Sequence, residues 1–69
     1  MTTSARIAAV LGARRLPAGC LAEPLGLSQQ AVSRRMREQT DWTVTELVVV
    51  ARFLGVDAAE LLPEVPAAA

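Results

Sequence analysis

The sequence predicts an all-α fold, a compact bundle of about five short helices that includes a helix-turn-helix, and three observations predict it. Leu21 to Val32 reads L-A-E-P-L-G-L-S-Q-Q-A-V: an apolar stretch, a glycine, an apolar residue, a capping serine and a helix that opens with two amides. Thr43 with Glu46 and Asp57 with Glu60 have the spacing of capping boxes, each opening a later helix. Apolar residues recur at helical spacing between stops made by Leu16-Pro17-Ala18-Gly19, Gly26, Gly55 and Pro63.

Ser4 is expected to cap the first helix, in which Ile7, Val10 and Leu11 share one face and Arg6, Arg14 and Arg15 lie largely off it. Gly12 weakens that helix. The second helix, about 18–25, contains Pro24, which has no amide proton and whose ring would collide with the carbonyl of Cys20. This helix must therefore be short or irregular, or begin late enough that Pro24 lies in its first turn. Gly26 follows it, where a left-handed residue is needed.

Ser28 caps the third helix, about 28–38, with Leu27 and Val32 as its hydrophobic staple. Val32 and Met36 supply the buried stripe, leaving Gln29, Gln30, Ser33, Arg34 and Arg37 on other faces. Trp42 precedes the Thr43 cap and can staple onto Leu47, which assigns it to the core and not to stacking on a base. The fourth helix, 43–54, is apolar on more than one face, so Val49 and Phe53 are candidates for a dimer interface. Asp57 opens a short fifth helix that stops before Pro63. Residues 1–62 are thus expected to form one domain and 63–69 a flexible C-terminal tail.

Composition narrows the chemistry. In 69 residues there is no histidine, one cysteine and no Gly-rich phosphate loop, so metal, thiol–histidine and nucleotide-hydrolysis chemistries lack their ordinary parts. No enzyme, cofactor or small-molecule ligand is expected. Cys20 is read as an inert, reduced core thiol or a surface thiol, in keeping with a cytoplasmic protein. The apolar runs are too short to span a membrane, and the start M-T-T-S-A-R lacks the apolar core of a signal peptide.

The zero net charge hides an asymmetry. Residues 1–37 carry six arginines against Glu23, net +5, whereas residues 38–69 carry Arg52 against six acids, net −5. One end is expected to attract phosphate and the other to repel it, an asymmetry that would orient the domain on a nucleic acid. All seven cations are arginine; this suits bidentate contact with phosphate and guanine, and a GC-rich genome would produce the same bias.

The pattern L-A-x-x-L-G-L-S-x-x-x-V-S at Leu21 to Ser33 resembles the Cro and lambda-repressor type (XRE-like) helix-turn-helix family. The downstream T-V-T-E-L, A-R-F-L-G-V and E-L-L also match that family's last helices, and the likeness covers about Ile7 to Leu62. It implies a lambda repressor-like DNA-binding domain whose third helix enters the major groove. Gln29, Gln30, Ser33 and Arg34 are then the expected base contacts, since glutamine pairs bidentately with adenine and arginine with guanine. Arg14, Arg15, Ser28, Arg35, Arg37, Gln39 and Thr40 are the expected phosphate contacts. The glutamine with which the family commonly begins its second helix is missing here, where Pro17-Ala18-Gly19 stands.

The implied function is a transcriptional regulator, a phage Cro-like or other small repressor that occupies a double-stranded operator. Its simplest form is a homodimer reading half-sites roughly 34 Å apart. The rival is a protein-interaction or antitoxin-like module on the same fold, with weak DNA binding and a partner held by the fourth helix. The missing glutamine and the neutral net charge favour that rival. The clustered arginines and the adjacent Gln29 and Gln30 oppose it.

Overall fold

The computed structural model describes residues 2–62, and among them every regular element is helical. Helix α1 spans Thr3–Ala13, α2 Ala22–Leu25, α3 Gln29–Met36 and α4 Val44–Leu54. Two short 3₁₀ turns complete the set, Ala18–Leu21 running directly into α2, and Ala58–Leu61 after α4. The fifth helix expected from the sequence is the second of these turns. The tail expected at 63–69 lies outside the described residues.

Pro24 explains the divided second segment. It is the third residue of α2, inside the first turn, where no backbone amide is required of it. The chain upstream takes the tighter 3₁₀ path, with the Cys20 amide donating to the Pro17 carbonyl at 3.1 Å.

The cap of α1 differs from expectation. The Thr2 hydroxyl accepts the Ala5 amide at 3.1 Å and begins the helix, while Ser4 is buried. The Ser4 hydroxyl is used elsewhere: it donates to the Arg35 carbonyl at 2.6 Å and accepts the Trp42 indole N–H at 3.1 Å. One side chain thus joins α1, the end of α3 and the connection that follows. Trp42 is half-buried against the core, as its position before the Thr43 cap predicts.

The core draws on every segment except α2. Ile7 and Leu11 come from α1, Leu21 and Leu61 from the two turns, Val32 from α3, and Leu47, Val50, Ala51 and Leu54 from α4. Ala22 and Leu25 of α2 pack against its edge. Each large aliphatic buried here contributes about 1.5–3 kcal/mol. Helix α3 rests on α1 and the first turn, and α4 on α2 and the second turn.

All four helices end alike. The residues after the caps of α1 and α3, Arg15 (φ 55°) and Glu38 (φ 64°), and the terminal residues Gly26 (φ 67°) and Gly55 (φ 71°) of α2 and α4, are left-handed. In each case the next amide reaches back five residues, from Leu16 to Leu11, Leu27 to Ala22, Gln39 to Arg34 and Val56 to Ala51, at 2.8–3.0 Å. Two of these ends are legible in the sequence as glycines. The other two use residues for which this conformation is strained.

Candidate nucleic-acid interface

Helix α3 is set by its cap and its buried stripe. The Ser28 hydroxyl accepts the Ala31 amide at 3.1 Å, Val32 is buried and Met36 packs half-buried on the core. Pinning that side turns the remaining residues outward. Gln30, Ser33, Arg34, Arg37 and Gln39 line one open groove of about 360 Å³. Their spacing along the helix, three, four and seven residues after Gln30, is that of a single face. Gln39 joins them because the Glu38 turn carries its amide back to the Arg34 carbonyl at 2.8 Å.

This groove brings together two guanidiniums, a hydroxyl and two amides. Arginine forks donate to phosphate and to the guanine edge, amides donate and accept, and neither role requires a proton to be lost. Gln29 stands apart from its neighbour. Consecutive residues on a helix are about 100° apart, and the Gln29 amide lies over Gly19 of the first turn, outside the groove.

Arg14 and Arg15 are exposed just past the end of α1, and Thr40 is exposed in the connection after α3. Arg35, expected on a phosphate, is turned into the fold instead. Its Nε donates to Glu46 Oε1 at 3.0 Å, a terminal nitrogen lies 3.0 Å from Oε2, and the other donates to the Ala31 carbonyl at 3.1 Å. Both side chains of the pair are only 15% exposed. The sequence does not reveal this pair, because the spacing of Glu46 from Thr43 points only to the capping box, which Glu46 also fills.

Burial alone would raise the Glu46 carboxyl. The hydrogen bonds from Arg35 and from the Thr43 amide, with the arginine charge, outweigh it and hold the group below its ordinary value.

A family model for the BetR domain matches residues 3–68. The chain belongs to the BetR domain family. No curated protein and no solved structure matches it. In this BetR domain the apolar residues of α4 divide: Leu47, Val50, Ala51 and Leu54 face the core, Val49 is half-buried, and Phe53 is 47% and Val44 76% exposed. Phe53 lines an open groove with Cys20, Glu23 and Pro24. Cys20 is free and half-buried, packed against the core. Among the described residues of the BetR domain, no group of histidine, cysteine and carboxylate side chains is arranged to hold a metal, and no helix is long and apolar enough to cross a membrane.

Proposed function

We propose that this BetR domain is a sequence-specific, double-stranded DNA-binding transcriptional regulator. It acts by occupying an operator in the cytoplasm, with α3 in the major groove. One observation carries the reading: the groove lined by Gln30, Ser33, Arg34, Arg37 and Gln39 is an open hydrogen-bonding face whose lining, Gln39 apart, comes from the positive half of the chain. Gln29, Gln30, Ser33 and Arg34 read bases. Arg14, Arg15, Arg37, Gln39, Thr40 and the Ser28 hydroxyl hold phosphates, and Arg35 is withdrawn from that set by Glu46. No residue has a catalytic role in this reading, and no cofactor is needed.

The likeness of Leu21 to Ser33 to the Cro and lambda-repressor type supports the same reading and points to repression by a homodimer. Selection from a random duplex library at low and near-physiological salt tests it, because salt weakens phosphate attraction far more than base readout. An enriched two-fold symmetric motif is expected. Retention at low salt with no motif would overturn the proposal.

A second reading is favoured by the exposed Val44, Val48 and Phe53 on α4. In it this helix binds another protein, and DNA contact is secondary.

A further inference from the structure

The four glycines are not equivalent. Gly26 and Gly55 hold left-handed turns, and at Gly12, Gly26 and Gly55 a side chain would meet open space. Gly19 has no positive φ to require glycine, and it alone has a close neighbour where a Cβ would stand. That neighbour is the end of Gln29: Cδ at 3.6 Å, with Nε2 and Oε1 both at 3.7 Å. Three nearly equal distances mean that the face of the amide, rather than one atom, covers Gly19.

We propose that Gly19 is a positioning residue for base readout: its missing side chain leaves the berth in which the Gln29 amide rests, and so sets which base edge Gln29 meets. The inference rests on the DNA-binding reading above. Glutamine pairs bidentately with adenine when its carbonyl and amino group lie in the plane of the base edge, so the place where the amide rests bears on which edge it meets. The first turn packs on α3, which places Gly19 beside the start of that helix. A methyl group at position 19 would touch the amide at ordinary contact distance. A longer side chain would occupy the volume the amide now fills and move it.

The test is a library selection with the parent chain, Gly19→Ala, Gly19→Leu, Gln29→Ala and the Gly19→Leu/Gln29→Ala pair, each checked for folding by circular dichroism. Gly19→Ala is expected to keep the parent motif. Gly19→Leu is expected to change preference on the order of tenfold at one base pair, the same pair altered by Gln29→Ala, and to add nothing in the double variant. A Gly19→Leu motif identical to the parent's overturns the proposal. So does a uniform loss on every sequence, or an effect that persists without Gln29. If Gly19→Leu does not fold, Gly19→Ser and Gly19→Val are judged by the same criteria. No motif for the parent itself would overturn the DNA-binding reading and this proposal with it.

Discussion

Arg35 and Glu46 form a two-point ion pair between α3 and the start of α4, with both nitrogen–oxygen distances at 3.0 Å. The same carboxylate accepts the Thr43 amide, so one side chain starts α4 and fixes it to the candidate recognition helix. This pair makes stability depend on acid. A carboxyl lowered in the folded state adds stability that is fully present above its ordinary value of about 4.5 and is lost as pH falls through the folded one. Glu46→Gln keeps a capping-box residue while removing the charge. It should cost about 1–2 kcal/mol at neutral pH, and the gap from the parent should close on acidification below about 4.5. Denaturant melts across that range check this; a gap independent of pH would refute it.

Ser4→Ala should destabilise the fold by about 1–3 kcal/mol, because the indole N–H of Trp42 loses its acceptor and the Arg35 carbonyl loses a donor. Trp42 is the only tryptophan, so its fluorescence reports the site directly. A loss of less than a few tenths of a kcal/mol would mean that water replaces the hydroxyl without cost.

Glu38→Gly should stabilise by about 0.5–1 kcal/mol. It relieves a left-handed non-glycine residue at φ 64° and removes an acid from the negative end of α3, less the greater freedom that glycine gives the unfolded chain. The thermal midpoint measures the net effect, and a fall in it would show that the turn is not strained.

Under the proposed function, Arg34→Ala should cost about 1–3 kcal/mol at the preferred site and relax discrimination at one base position. Arg15→Ala should weaken all sequences alike. Binding titrations on preferred and scrambled duplexes separate the two, and equal losses for Arg34→Ala on both would reassign it to phosphate.

Phe53→Glu should lower self-association without unfolding the chain, since Phe53 is 47% exposed and outside the buried core. Sedimentation at high concentration, free and on the selected site, measures this. A parent chain that is monomeric under both conditions would remove the dimer from the proposal.

Local signals determined much of this protein from sequence alone. The caps at Ser28, Thr43 and Asp57, the turn glycines Gly26 and Gly55, and the helical spacing of Ile7 with Leu11 and of Val32 with Met36 each act within about one helical turn. The all-α class, the element order and the outward side of α3 therefore follow from near neighbours. Tertiary structure decided whatever depends on a distant partner. Ser4 has the residue type of a cap, but the Arg35 carbonyl and Trp42 compete for its hydroxyl from 31 and 38 residues away. Arg35 reads as a phosphate contact until Glu46 draws it in, and Gln29 reads like Gln30 until Gly19 gives its amide a place to rest. A side chain that can satisfy its hydrogen bonds in several ways takes the partner that folding brings near, and only the packed chain brings these together.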